Sequence, residues 1–283
     1  MSMKLKNVGV IGAGAMGSGI AQVSAVAGYD VILQDVYSDA LERAHASIVK
    51  SLSKMVSKEK MTEMEMNAAL NRIQYTAELE NACKRADLVI EAVFENLEIK
   101  HDMFRNLAKL CKKEAILGTN TSALSITEIA SVTDRGDKII GIHFMNPVPL
   151  MKGVEVIRGE LTSDETLNVT LEFIKDLGKE SILAVDYAGF IASRLVDVLF
   201  NEVMKLIQEG NSPEEIDKVC TLCLGHPMGP CRLLDLAGAD IAMHGMETMA
   251  RDFGDAYKPH PLLKKRVLAG KLGQKTGRGF YEY

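Results

Sequence analysis

Three groups of residues in this chain have types and spacings that could do chemistry. The first is Gly12-Ala-Gly14-Ala15-Met16-Gly17, which follows the strand-like run Asn7-Val-Gly-Val-Ile11 and opens a helix-like run from Gly17 to Ala25. An acidic residue, Asp35, ends the next apolar run, 23 residues after Gly12. The order strand, glycine loop, helix, strand, carboxylate is the dinucleotide-binding fingerprint. Gly12 permits the tight turn, Gly14 presents no side chain to a pyrophosphate, and Gly17 lets helix and sheet approach. The helix N-terminus then offers N–H groups and a positive dipole end to the phosphates. Asp35 can accept from a ribose 2′-hydroxyl and repels a 2′-phosphate, so the cofactor expected is NAD(H) rather than NADP(H). The loop from Gly12 to Gly17, Ala15 and Met16 included, is expected to line it.

The second group is Gly118-Thr-Asn120-Thr-Ser122, just after a strand-like run at 115–119. Its amide and hydroxyls could bind a substrate oxygen or the nicotinamide ribose, or could serve only turns and caps, with Ser122 or Ser125 capping a helix at 126–130. The third is His143, which ends the run Ile139-Ile-Gly-Ile and precedes a loop carrying Asn146, Pro147 and Pro149. Oxidation of an alcohol needs a base for the hydroxyl proton, and imidazole has a suitable pKa. Glu155, inside the apolar strand Val154–Ile157, is costly to bury unpaired, and His143 is its natural partner.

The elements needed to hold these groups are visible as alternating patterns. Strands are expected at 8–11, 31–34, 88–93, 115–119, 139–143 and 154–157, with helical patterns between them. Leu88–Val93 and Ile139–Ile142 read as strands buried on both faces. The expected fold class is α/β, a Rossmann-type doubly wound parallel sheet over residues 1–188. A helical hairpin at about 38–70 is expected to project from it as an insertion. It carries lysines at 50, 54, 58 and 60, either a solvated face or contacts for a nucleotide phosphate other than that of NAD. From 189 to 283 the pattern is helical throughout, predicting an all-α C-terminal domain. One face of a long helix runs from Ile191 to Ile207 and is ended by Gly210. Ser212-Pro213-Glu-Glu215 caps the next helix.

The bulk numbers narrow the class. A length of 283 residues suits two domains, and 47% hydrophobic with 25% charged residues is ordinary for a globular protein. A net charge of −5 argues against nucleic-acid binding. No run of about 18 apolar residues predicts a membrane span. The start, Met1-Ser-Met-Lys-Leu-Lys6, resembles a secretory signal only superficially, because the glycines that follow fit a phosphate loop better. Five cysteines, an odd number, suggest reduced thiols in a cytoplasmic protein. Cys220, Cys223, His226 and Cys231 have poor spacing for zinc, so no metal is expected. The long apolar helix and 15 methionines suggest a homodimer or a higher homo-oligomer packed through the C-terminal domain.

Several motifs together carry a family resemblance. They are the glycine loop, Glu91-Ala-Val-Phe-Glu95-Asn, Thr119-Asn-Thr-Ser122, His143-Phe-Met-Asn-Pro147, Glu155-Val-Ile-Arg-Gly159, Gly189-Phe-Ile, His226-Pro-Met-Gly-Pro230 and Lys275-Thr-Gly-Arg-Gly-Phe-Tyr281. The whole chain resembles the short-chain L-3-hydroxyacyl-CoA dehydrogenases, the bacterial 3-hydroxybutyryl-CoA dehydrogenases above all. The resemblance implies reversible hydride transfer between NAD(H) and C3 of a short (S)-3-hydroxyacyl-CoA, in a site between the two domains. It implies that Glu95 and Lys100 lie near the nicotinamide half of NAD and that Asn120 touches its ribose. Ser122 would bind the reacting oxygen, His143 would be the base, and Glu155 would orient it. Asn146 and Ser193 are further candidates for the cofactor and the reacting oxygen. Lys54 and Lys60 would meet the CoA nucleotide.

The chain departs from that family's usual pattern at five places. Ser193 stands for Asn, Gly153 for Leu, Ala188 for Pro, Cys231 for Phe and Ala239 for Leu. If these line one pocket, the acyl site is enlarged; equally, each could be repacking. Two other functions follow from that choice: a dehydrogenase of another 3-hydroxy acid without CoA, or a catalytically weak NAD-binding structural or sensing protein.

Overall fold

The computed structural model describes residues 5–283, so the first four residues of the signal-like start Met1–Lys6 lie outside the described residues. The chain divides into two compact units, one ending at Asp186 and the other spanning Tyr187–Tyr283.

The first unit is a single eight-stranded sheet in the order β3-β2-β1-β4-β5-β6-β7-β8. Its strands are β1 (Asn7–Ile11), β2 (Asp30–Gln34), β3 (Ile73–Thr76), β4 (Leu88–Glu91), β5 (Ile116–Thr119), β6 (Ile139–Phe144), β7 (Gly153–Arg158) and β8 (Glu180–Val185). All neighbours are parallel except β6 and β7. Helices α1 (Ala15–Val26), α2 (Ser38–Ser57), α3 (Glu63–Asn71), α4 (Leu79–Cys83), α5 (Leu97–Leu110), α6 (Ile126–Ala130) and α7 (Asp164–Asp176) connect them. Strands β4, β5 and β6 are buried at every position, which is why they read as near-continuous apolar runs.

The structure corrects the sequence reading at three points. The sheet is not wholly parallel: β7 returns antiparallel beside β6 after a short loop. Strand β4 ends at Glu91 rather than Val93, because the Val93 N–H is taken by the Glu91 carboxylate at 2.7 Å instead of a neighbouring strand. Two edge strands, β3 and β8, gave no sequence signal. The β3 run Ile-Gln-Tyr-Thr is half polar, and β8 leaves Ile182, Leu183 and Val185 exposed. The helical hairpin at about 38–70 corresponds to α2–α3. It is the crossover from β2 to β3, and it buries Ala44, Ile48, Leu52 and Ala69 in the same core as Val8, Ile20 and Leu33. Thr62 and Glu65 close a capping box at the start of α3.

The second unit is helical: α8 (Ala192–Gln208), α9 (Pro213–Lys218), α10 (Pro230–Ala237), α11 (Ala239–Phe253) and α12 (Pro261–Leu268). Ser212 caps α9 by accepting from the Glu215 N–H, with Pro213 in the first turn. Gly210, with φ +108°, follows the end of α8 in a conformation that favours glycine. Phe200, Met204, Leu234, Met246 and Leu263 form its core. Two buried carboxylates staple it. Asp217 accepts from the N–H groups of Cys231 and Arg232 and from the Tyr281 hydroxyl. Asp235 accepts from the N–H groups of Phe280 and Tyr281 and from the Tyr283 hydroxyl. Each needs a glycine beside it: a Cβ at Gly229 would lie 2.2 Å from the Asp217 carboxyl carbon, and one at Gly279 would lie 2.0 Å from Asp235 Oδ1. The motifs around 226–230 and 275–281 are thereby accounted for as packing requirements. Among the described residues, no helix is long and apolar enough to cross a membrane.

Candidate active site

In an open α/β sheet, ligands bind beyond the carboxyl ends of the parallel strands. The chemistry-bearing residues of the first unit collect at that edge, at the ends of β1, β4, β5 and β6.

The glycine loop leaves β1 through Gly12, which has φ +99° and whose Cβ would lie 2.6 Å from the Ala92 carbonyl oxygen. A Cβ at Gly17 would come within 1.7 Å of the Gly12 carbonyl oxygen, so only glycine lets α1 start there. Gly14 differs, because a Cβ there would meet nothing within 4 Å. Its bareness answers no crowding inside the protein; it leaves open the space in which a pyrophosphate would approach. The first turn of α1 has neither an acidic residue nor a side-chain cap, as an anion-binding terminus requires. Asp35 spans the loop, accepting from the Ala13 N–H at 2.8 Å with one oxygen and from the Tyr37 N–H at 3.0 Å with the other. Each oxygen keeps a further lone pair for a ribose hydroxyl. These features fit NAD.

At the end of β6, His143 is 7% exposed, and its Nδ1 lies 2.8 Å from Oε2 of Glu155, itself 2% exposed. The antiparallel pairing of β6 and β7 sets the two residues directly opposite each other. A buried carboxylate on one ring nitrogen fixes the tautomer and supports an imidazolium. Asn120, at the end of β5, accepts from the Phe144 N–H at 2.9 Å, which ties the Thr119–Ser122 loop to the residue after His143.

A charged cluster beneath that loop had no counterpart in the sequence reading. Glu91, fully buried, accepts from Lys100 Nζ, the Val93 N–H and the Thr119 hydroxyl, each at 2.7 Å. Lys100 also lies 3.4 Å from Glu95 Oε2. The other Glu95 oxygen takes the Thr121 hydroxyl and the N–H groups of Ser122 and Ala123. Burial works to raise the Glu95 pKa, but Lys100 and these donors outweigh it and hold the carboxyl below its ordinary value. Burial likewise opposes the Lys100 charge, which Glu91 and Glu95 keep raised above the lysine norm. Lys100, at 1% exposure, is held between these two carboxylates. Ser122, half-buried, stands on the loop that Glu95 anchors. Asp186 braces the next turn by accepting from Ser125, Ile126 and Thr127, while Ser125, not Ser122, caps α6.

Asn146 is exposed in the loop after β6. Two contacts that the sequence did not suggest seat this loop. Lys179 Nζ donates to the carbonyls of Val148 at 2.7 Å and Met151 at 2.6 Å, and Gly19 of α1 leaves room for Val148, whose Cβ would lie 2.7 Å from a Cβ there. Lys54 and Lys60 are exposed near the turn between α2 and α3, and neither joins an ion pair among the described residues.

Ser193 lies half-buried in the first turn of α8 in the second unit. The five departures do not share one wall. Cys231, fully buried, packs with Val203 and Ile216, whereas Ala239 belongs to the separate cluster of Phe200 and Met246. Gly153 opens β7, where a Cβ would press on Ile182 at 3.1 Å. For Cys231 and Ala239 the repacking reading holds. Among the described residues no cluster of His, Cys, Asp and Glu is arranged to hold a metal.

Comparison with known proteins agrees with this geometry. Residues 7–187 match the family model of the 3-hydroxyacyl-CoA dehydrogenase NAD-binding domain, and residues 189–283 match that of its C-terminal domain. The chain is 46% identical to a probable 3-hydroxybutyryl-CoA dehydrogenase of Bacillus subtilis, over 99% of this chain and 98% of the relative. Its fold superposes with a TM-score of 0.95 on M. tuberculosis FadB2, at 38% identity over 99% of this chain and 100% of the other. For the (S)-3-hydroxybutyryl-CoA dehydrogenase PaaH1 of Ralstonia eutropha the TM-score is 0.90 and the identity 40%, over 99% of each chain. The glycine loop, the His–Glu pair and two family matches that together span the chain converge: the chain belongs to the 3-hydroxyacyl-CoA dehydrogenase family and is an NAD-dependent oxidoreductase.

Proposed function

We propose that the protein interconverts (S)-3-hydroxybutyryl-CoA and acetoacetyl-CoA, or close short-chain homologues, in fatty acid or butyrate metabolism. The observation that carries this reading is the buried His143–Glu155 pair at the same sheet edge as the dinucleotide loop. NAD, when bound, supplies the acceptor for the hydride that leaves C3. With Nδ1 engaged by Glu155, Nε2 of His143 takes the hydroxyl proton in oxidation and returns it in reduction. Glu155 holds the ring and stabilises the imidazolium. The Ser122 hydroxyl donates to the C3 oxygen as it becomes a carbonyl, with Asn146 in a lesser contact. Asn120 and Glu95 face the nicotinamide ribose and ring, Lys100 keeps Glu95 ionised, and the loop from Gly12 to Gly17 with Asp35 holds the adenosine half. Lys54 and Lys60 meet the CoA phosphates as exposed point charges.

The enzyme works in this reading as a cytoplasmic homodimer or higher homo-oligomer. Five cysteines free of disulfides suit a reducing compartment, and exposed Leu195 and Val198 on α8 suit a subunit contact. Size-exclusion chromatography with light scattering checks the second point, and a monomer at micromolar concentration removes it.

The deciding experiment follows NADH consumption with acetoacetyl-CoA beside free acetoacetate. Turnover of the thioester alone is expected. Lys54→Ala with Lys60→Ala should raise KM for the thioester about tenfold, the loss of two exposed phosphate contacts, with kcat retained. Equal use of free acetoacetate with no effect of the lysine changes would establish a CoA-independent hydroxy-acid dehydrogenase instead. NADH binding without turnover of either substrate would leave the sensing role.

A further inference from the structure

At the opposite edge of the sheet from the site just described, two helices end in cysteine. Cys83 closes α4 before β4, and Cys111 follows α5 before β5. Strands β4 and β5 are parallel neighbours, with Leu88 opposite Ile116, so the two helix ends are brought side by side. Helices α4 and α5 pack together there, and the Cys83 and Cys111 thiols are near enough to perturb each other. Cys83 is fully buried, while Cys111 is 8% exposed and is the one that solvent can reach.

A third residue from the same edge completes the group. Arg135, just before β6, is 9% exposed. One of its nitrogens donates to the carbonyls of Lys113 and Ala115, in the turn that follows Cys111. Its Nε has no hydrogen-bond partner, and no carboxylate among the described residues pairs with the guanidinium. A buried cation without a counter-ion is costly unless an anion can form beside it. The neighbouring Cys83 thiol lowers the Cys111 pKa against the effect of burial, and the Arg135 charge lowers it further, whereas Cys83 is raised.

We infer that Cys83 and Cys111 form an oxidisable dithiol, a modification site for small hydroperoxides, with Cys111 as the attacking and Cys83 as the resolving thiol. In the first step Cys111 sulfur attacks the peroxide. An S–O bond forms, the O–O bond breaks, and the thiol proton leaves with the departing oxygen as water. In the second, Cys83 sulfur attacks Cys111 sulfur, the S–S bond forms, the S–O bond breaks, and the Cys83 proton leaves with hydroxide as water. Two thiols are oxidised by two electrons, and one hydrogen peroxide is reduced to two waters.

The test treats the reduced full-length protein with a small excess of hydrogen peroxide, alkylates under denaturing conditions and maps peptides without reduction. The expected result is loss of two of the five thiols. They should be recovered as one Cys83–Cys111 cross-linked peptide, and dithiothreitol should restore both. Cys83→Ser should leave Cys111 as a sulfenic acid that dimedone traps, and Cys111→Ser should protect Cys83. Recovery of Cys83 and Cys111 fully alkylated, with oxidation confined to exposed Cys223, overturns the proposal. The wild-type map decides this alone if either serine variant fails to fold.

Discussion

In the first unit the deeply buried carboxylates Glu91 and Glu155 face basic side chains, Lys100 and His143. In the second unit Asp217 and Asp235 are buried almost as deeply and face backbone N–H groups and tyrosine hydroxyls instead. Both arrangements meet the rule that buried charge must be compensated. They differ in what they can do. Donors fixed in the backbone cannot take up or give away a proton, so Asp217 and Asp235 act as staples that hold the chain end near Tyr281. A histidine facing a carboxylate can change its protonation, and a lysine between two carboxylates sets their charge. The partner of a buried acid, more than its burial, separates chemistry from architecture in this protein.

That distinction can be broken by substitution, most severely at His143. His143→Ala is expected to lower turnover about a thousandfold while the loop from Gly12 to Gly17 still binds NADH, as measured by fluorescence titration. Near-normal turnover would remove His143 from the chemistry. Lys100→Met should be nearly as damaging through stability, about 3–5 kcal/mol in urea unfolding, because Glu91 and Glu95 are left as uncompensated neighbours. Stability within 1 kcal/mol of wild type would mean that the other donors suffice. Asp217→Ala should show the reverse pattern to His143→Ala. It leaves two N–H groups and the Tyr281 hydroxyl without their acceptor, costing about 3 kcal/mol, yet kcat of the folded protein should stay close to wild type. A kcat loss matching that of His143→Ala would dissolve the contrast.

The smallest effect concerns Asp197 on α8, a third buried acid of the second unit. Burial pushes its pKa up to about 7, and Gly245 makes room for it, since a Cβ there would lie 3.2 Å from its oxygen. Its folded pKa is above the unfolded value, so the native state holds the proton longer. Its contribution is intact below about pH 4 and declines as pH rises toward 7. Asp197→Asn should flatten this dependence, gaining about 2 kcal/mol over wild type between pH 5 and pH 7 in denaturant titrations. Parallel pH profiles for the two proteins would show that the carboxyl is ionised throughout.

Legibility in the sequence followed the range of the interactions. The glycine loop, the capping of α9 by Ser212, the Gly210 stop and the apolar runs of β4 and β6 depend on residues a few positions apart, and their spacing announced them. The pairing of His143 with Glu155 was also within reach, since a carboxylate in an apolar strand demands a partner. The burial of Lys100 was not legible, because nothing local distinguishes a lysine on an amphipathic helix that faces water from one whose ammonium is drawn inward by two carboxylates. The edge strands β3 and β8 were missed because half-polar edge segments lack the periodicity of a buried strand.

The amino-acid sequence alone determined the dinucleotide loop, the alternation of the central strands with helices, the two-part division of patterns and the residue types of the His143–Glu155 pair. Those features rest on steric freedom, hydrogen bonding and apolar periodicity within a few residues. Tertiary structure alone decided that β7 runs antiparallel to β6, that Lys100 joins Glu91 to Glu95, that Gly229 and Gly279 admit Asp217 and Asp235, and that the helix ends bearing Cys83 and Cys111 lie side by side. Each of these joins residues of different elements or loops. Their energies arise only once folding has excluded water and brought the partners into contact.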